Sequence, residues 1–268
     1  MAITPGWHRR HRPWIPPARA DLVPTDGWYT VAASAYDEQT DYIDLRNVKL
    51  LASRSGELNE RWTAVASLVA LRERWSYDTD TATGARVYNY STLVYPELTG
   101  SYIGVDNRLF PRHGLSAQVA LRGGAKGAGS DTSFVQGWGN ARWFQGIGQA
   151  DRLILRAEGG ATWSQDPIAL SPSLRFFAGG DRSIRGYAWR EVGPRTPPPD
   201  NFALGGRYVV TASAEYEHYF KGGPWGMAAF VDTGDAFDNK NDFSLRTGVG
   251  VGARWRSPSG GGRSDIAH

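Results

Sequence analysis

The chain has 268 residues, enough for one large β-domain or two ordinary ones, and its 41% hydrophobic and 21% charged residues are not those of a disordered polymer. It has no cysteine, which excludes disulfides and thiolate metal sites, and no apolar run of about 18 residues, which excludes a transmembrane helix. The net charge of +3 is modest and, apart from His8 to Arg12, the arginines are scattered, so nucleic acid is not an expected partner.

Thirty-three glycines accompany eleven tryptophans. A transmembrane β-barrel needs both: small residues where strands curve, and aromatic girdles at the two interfaces. A mean hydropathy of −0.44 is compatible with this, because only every second residue of a barrel strand faces lipid. Met1 to Pro17 has no apolar core and no cleavage site, so the chain reads as lacking a signal peptide.

In chain order, Trp28–Tyr36 is the first clear strand and Tyr42–Leu51 a second of mixed pattern. Trp62–Leu71 is a third, apolar enough on both faces to leave its register open. Asp78–Gly84 is a polar loop, and Val87–Val94 returns as strand. Leu109–Gly114 is a turn, with Pro111 fixing φ and Gly114 at the permissive position. Leu115, Ala117, Val119 and Leu121 then alternate with Ser116, Gln118 and Arg122, and Phe134–Phe144 follows as another strand.

The C-terminal half alternates more cleanly. In Arg152–Trp163, Leu153, Leu155, Ala157 and Trp163 share one face, while Arg152, Arg156, Glu158 and Thr162 share the other. In Tyr208–Phe220, Tyr208, Val210, Ala212, Ala214 and Tyr216 oppose Thr211, Ser213, Glu215, Glu217 and Tyr219. Trp225, Met227, Ala229 and Val231 point outward, which turns Phe230 and Asp232 inward. In Ser244–Arg256, Leu245, Val249, Val251 and Trp255 oppose Arg246, Gly248, Gly250, Gly252 and Arg254. Such sustained period-2 strands are of membrane-spanning length, about 9–11 residues, whereas soluble strands cluster near about 5–6. About eleven strands with alternating short turns and longer loops predict an all-β, antiparallel up-and-down transmembrane barrel.

One stretch does not fit a plain strand: Leu174–Tyr187, L-R-F-F-A-G-G-D-R-S-I-R-G-Y. Phe176 and Phe177 precede the Gly179-Gly180 pair, which permits tight backbone geometry; Asp181 and Arg182 follow and read as loop structure. Ile184-Arg185-Gly186-Tyr187 sets one cation between an apolar residue and a glycine. An arginine folded into a barrel interior must find carboxylates, because an unpaired buried charge is costly. The inward candidates that follow are Glu215 and Asp232; Glu217 reads as a lumen-facing carboxylate.

With Gly193-Pro194 after it, this stretch resembles the sixth extracellular loop of the bacterial surface antigen superfamily, the BamA/TamA-type outer-membrane assembly barrels, and is nearest to the TamA type. L-F-P-R-H-G at Leu109–Gly114, A-S-A-E-Y at Ala212–Tyr216, F-V-D-T-G-D-A-F at Phe230–Phe237 and G-V-G-V-G-A-R-W-R-S-P at Gly248–Pro258 add to the resemblance. It implies a sixteen-stranded barrel behind periplasmic domains, with the loop folded into the lumen, Arg185 paired with Asp232, and Glu215 joining them. It also implies insertion or translocation of other β-proteins, through first and last strands that pair weakly and open as a lateral gate. The expected partners are the lipid bilayer of the bacterial outer membrane, client β-barrel or autotransporter proteins, and a periplasmic-spanning or translocation partner.

The sequence departs from that pattern at both ends. Nothing ahead of the barrel strands reads as a periplasmic domain, and the flat, glycine-rich Ser257–Ser264 is expected to specify register poorly, so the chain is expected to be truncated and without either gate strand. Residues 1–27 are expected to be a loose basic segment with the remnant of an earlier strand, and 28–268 the C-terminal part of the barrel domain. Catalysis is not expected: Ser183 and Ser213 lack a G-x-S-x-G context, Gly179-Gly180 resembles no phosphate loop, the five histidines are scattered, and no metal or cofactor is implied. Two other readings remain at this point, a passive membrane anchor for a fused module and a soluble β-sandwich.

Overall fold

The computed structural model describes residues 18–20, 27–39, 43–77, 87–166, 170–196, 203–221, 223–257 and 260–267. Most of the basic N-terminal segment and the Asp78–Gly84 loop lie outside the described residues. All strands belong to one antiparallel sheet in strict chain order. They are β1 (Ala18–Ala20), β2 (Gly27–Gln39), β3 (Ile43–Glu57), β4 (Trp62–Tyr77), β5 (Asn89–Val105) and β6 (His113–Gly124), then β7 (Phe134–Ile147), β8 (Asp151–Ser164), β9 (Tyr208–Tyr219), β10 (Trp225–Phe237), β11 (Arg246–Ser257) and β12 (Gly260–Ala267). Among the described residues the edge strands β1 and β12 do not pair with each other. A single sheet with neighbour-to-neighbour order leaves no second sheet to pack against, which removes the sandwich.

Alternation decides which face is outside. Val210, Met227, Val231, Val249 and Val251 are exposed on one face, while Thr211, Ser213, Glu215, Glu217, Phe230 and Asp232 are buried on the other. The exposed face is apolar and the enclosed one polar, the inverse of a soluble sheet and the arrangement of a barrel wall in lipid. Exposed aromatics gather toward the two ends of the strands: Trp28, Trp62, Phe220, Trp225 and Trp255 toward the short turns, Tyr36, Tyr90 and Trp163 toward the long loops. Trp225 lies opposite Trp255, with ring centroids 6.2 Å apart. The open register of β4 is settled by burial: Val69, Leu71, Glu73 and Trp75 face inward, and Leu68 faces out.

Two strands differ from expectation. β5 continues to Val105, well beyond Val94, and passes through Pro96. The ladder with β6 stops at Glu97, and the nearby amides of the same parity go to side chains: Thr92 N–H to Asp131 (2.6 Å) and Val94 N–H to Ser130 (2.9 Å). A residue without an N–H is therefore tolerated at 96. The glycine-rich end, expected to pair poorly, forms β12 in register with β11 from Ser257↔Gly260 to Gly250↔Ala267. Backbone pairing needs no side chain, and Asp265 is fixed from the interior. The three-residue β1 extends the sheet beyond β2.

Candidate functional site: an inward loop and its ion network

The connection from β8 to β9 folds over the polar face of the sheet. Its base is apolar: Leu170 and Leu174 pack with Val69 and Leu71 of β4, Leu93 and Tyr95 of β5, and Phe134 of β7. A polar clamp sits beside them. The hydroxyls of Ser171 and Ser173 donate to Glu73, and Asn47 Nδ2 donates to the same carboxylate at 3.0 Å. Gln136 donates to the Leu174 carbonyl at 2.6 Å.

From the base, the chain runs out and back as a small hairpin. Phe176 pairs with Gly206, Ala178 with Val192, and Arg195 with Ala203. Phe176 lies against Gly160 of β8, where a Cβ would sit 2.5 Å from the ring. Phe177 lies under the Arg190 guanidinium, 4.8 Å from its ring centroid. The tip turns through Gly179, Gly180 and Gly186 at φ of 98°, 93° and 97°, values that disfavour a side chain. Gly180 N–H donates to the Tyr187 carbonyl at 3.0 Å, closing the turn around Asp181 to Gly186. Ile184 is fully buried with Phe176, Ala178, Val192 and Val209, and Tyr187 packs against this cluster. Asp181 and Arg182 are exposed.

Arg185 is 2% exposed, Asp232 0% and Glu215 5%. The guanidinium meets Asp232 as a fork, with Nε donating to Oδ2 at 2.6 Å and Nη2 to Oδ1 at 2.9 Å. The Arg185 amide donates to the same Oδ2 at 3.0 Å. Nη1 donates to Glu215 at 2.6 Å and to Asp265 of β12 at 3.1 Å. The Phe230 ring lies 3.3 Å from the guanidinium carbon. Burial works against the charge on Arg185, but these carboxylates outweigh it and hold its pKa above the ordinary arginine value.

The inner face of β11 makes room for the tip. Gly248 lies directly across from Asp232, and a Cβ there would run into the Arg185 carbonyl oxygen. Gly250 leaves space for the Phe230 ring and Gly252 for Asp265.

The network is wider than the residues expected from sequence. Arg254 of β11 donates to Glu215 at 2.6 Å and to Asp265 at 2.5 Å, and its Nε lies 3.2 Å from Glu217. Arg152 holds Glu217 through Nε at 2.9 Å and Nη2 at 2.5 Å. Arg156 reaches Asp232 at 3.2 Å and Ser213 at 2.9 Å. Glu217 is thus an ion-pair partner but does not touch Arg185. Asp265 escaped the sequence reading because it sits in a stretch that looked unstructured. Arg254 was legible as inward but had no recognisable partner. At the other end of the sheet, Arg190 of the loop approaches Glu38 of β2 at 3.5 Å. The loop therefore contacts strands near both edges of the sheet, which wraps around it. Among the described residues no group of three or more His, Asp or Glu side chains is placed to hold a metal ion.

Comparison with known proteins follows this geometry. The Omp85 superfamily domain matches residues 33–268. The outer membrane protein assembly factor BamA of Nitratidesulfovibrio vulgaris is 29% identical over 161 residues, covering 58% of this chain and 20% of that protein. The crystal structure of BamA from Haemophilus ducreyi lacking POTRA domains 1-3 superposes with a TM-score of 0.74 at 16% identity, covering 90% of this chain and 55% of that one. CdiB from Acinetobacter baumannii superposes with a TM-score of 0.50 at 10% identity, covering 87% of this chain and 45% of that one. The chain thus spans a fifth of the BamA sequence it matches and about half of the BamA structure. With its single antiparallel sheet and the family domain over most of its length, the chain belongs to the Omp85 superfamily.

Proposed function

We propose that residues 28–268 are the C-terminal part of the barrel domain of a factor that inserts or translocates other β-proteins at the bacterial outer membrane. The lipid bilayer is its solvent, and client β-barrel or autotransporter proteins are its substrates, delivered with a periplasmic-spanning or translocation partner. The role is mechanical, with no chemical step assigned to it.

The observation that carries this reading is the Arg185 fork on Asp232, reinforced by Glu215, deep inside the sheet. A loop pinned by a desolvated bidentate ion pair is a rigid strut, because breaking one partner strands the other charge. We assign the loop the role of a latch: it braces the β8–β12 wall from within, so that the wall keeps its shape while the sheet edges accept or release a client strand. The outer-membrane family and the assembly role in the name of the BamA relative support the reading.

The test is client folding in proteoliposomes. The protein carrying this barrel is expected to speed the folding of a urea-denatured β-barrel client, and Arg185→Ala is expected to abolish most of that gain while the barrel itself stays inserted. A client folding rate equal to that of protein-free liposomes would favour the passive anchor.

A further inference from the structure

The carboxylates around the loop tip are all engaged: Asp232 by Arg185 and Arg156, Glu215 by Arg185 and Arg254, Glu217 by Arg152 and Arg254, Asp265 by Arg185 and Arg254. Two more guanidiniums, those of Arg142 and Arg263, reach the same side of the sheet with exposed side chains and no carboxylate of their own among the described residues. Arg142 of β7 lies in register between Ser116 and Arg156, so it points inward while the adjacent Trp143 is exposed outside. Among the described residues Arg142 makes no ion pair, and Arg263 donates only to the Asp181 backbone carbonyl, at 3.0 Å.

Arg142 and Arg263 border a cavity of about 480 Å³. Arg142, Arg156, Arg254 and Arg263 line its polar wall together with Glu215 and Glu217, whose charges are already paired with Arg185, Arg152 and Arg254; Phe110 and Ile154 are on its apolar side. Like charges held together on one cavity wall repel, and the repulsion is relieved by an anion that pairs with them. The volume is that of a small-molecule site, about 300–1,000 Å³.

We propose that this cavity binds a phosphate-bearing ligand, with Arg142 and Arg263 as direct contacts. Phosphate is favoured over carboxylate by charge density. A phosphate monoester concentrates about −1.5 to −2 charges on three acceptor oxygens, matching several converging guanidiniums, whereas a carboxylate supplies a single charge. Planar guanidiniums grip phosphate oxygens in pairs. The apolar side accommodates the organic part of a phosphoester. A lipid headgroup and a soluble organic phosphate share this chemistry. The site does not depend on the assembly reading, because binding is measured without a client.

The experiment uses the full chain. Pyrophosphate is titrated calorimetrically in phosphate-free detergent, and phosphatidic acid, whose headgroup is a phosphate monoester, is offered in mixed micelles, alongside a hexaglutamate peptide. Saturable pyrophosphate binding is expected, weakened at least about tenfold in Arg142→Gln/Arg263→Gln through loss of charged hydrogen bonds, and unchanged in Arg54→Gln on the outer face. Among the described residues Arg142 makes no ion pair, so the variant is expected to keep its heat-modifiable migration. Arg142→Lys alone keeps the charge but loses the fork, and is expected to weaken binding to a smaller degree. Binding of the lipid but not of pyrophosphate, with the same sensitivity to these variants, supports the site and assigns the phosphate to a headgroup. No binding of either, binding indifferent to Arg142 and Arg263, or hexaglutamate binding tighter than both phosphates would overturn it.

Discussion

At its base the inward loop is held by oil, and at its tip by charge. Leu170 and Leu174 are buried in an apolar cluster contributed by β4, β5 and β7, with one buried carboxylate, Glu73, clamped by neutral hydroxyls and an amide. Burying a leucine contributes about 1.5–3 kcal/mol, is non-directional and tolerates small shifts. The tip is the opposite case. Arg185 sits among Asp232, Glu215 and Asp265, and Arg254 ties the last two together. Such a network contributes little net stability over an apolar core, but it penalises every alternative position of the tip. The base supplies adhesion and the tip supplies position.

That contrast can be broken from either end. The largest effect is expected from Arg185→Ala, which strands buried carboxylates: about 3–5 kcal/mol, read as exposure of the loop to chymotrypsin at Tyr187 and Trp189. Leu174→Ala should cost about 3 kcal/mol by opening a cavity, but show up as a lower denaturation midpoint of the whole barrel, with tip protection retained under native conditions. If Leu174→Ala frees the tip as fully as Arg185→Ala does, base and tip are one cooperative unit and the contrast fails. Gly248→Ala should displace the tip without touching any charge, at about 1–3 kcal/mol of overpacking, again seen as chymotrypsin cleavage. The smallest effect belongs to Arg190→Ala, whose pair with Glu38 is long and partly exposed: under about 1 kcal/mol, with no change in the cleavage pattern.

The same contrast explains what was legible in the sequence. The tip was readable because strand parity is a local property. Alternation along β9 and β10 turns Glu215 and Asp232 inward without any knowledge of pairing, and a lone arginine between Ile184 and Gly186 in a glycine-rich excursion needs such acids. The base was not readable. Glu73 lies about a hundred residues from the serines that clamp it, on a strand apolar on both faces, and only folding brings them together. Asp265 was missed for a different reason. Its strand is weak in side-chain pattern, and its position is imposed by Arg185 and Arg254 rather than by its neighbours. The run through Pro96 was hidden because its tolerance depends on where the β6 ladder ends.

The latch itself is tested most directly by a double-mutant cycle. Arg185→Ala, Asp232→Ala and the double variant are inserted in the same bilayer, and the free energy of loop opening is taken from chymotrypsin cleavage at Tyr187 and Trp189, sites that neither substitution alters. Direct partners predict that the double variant costs far less than the sum of the singles, with a coupling energy toward the upper end of the usual range, about 0.5–3 kcal/mol. Costs that add to within about 0.5 kcal/mol would contradict the latch.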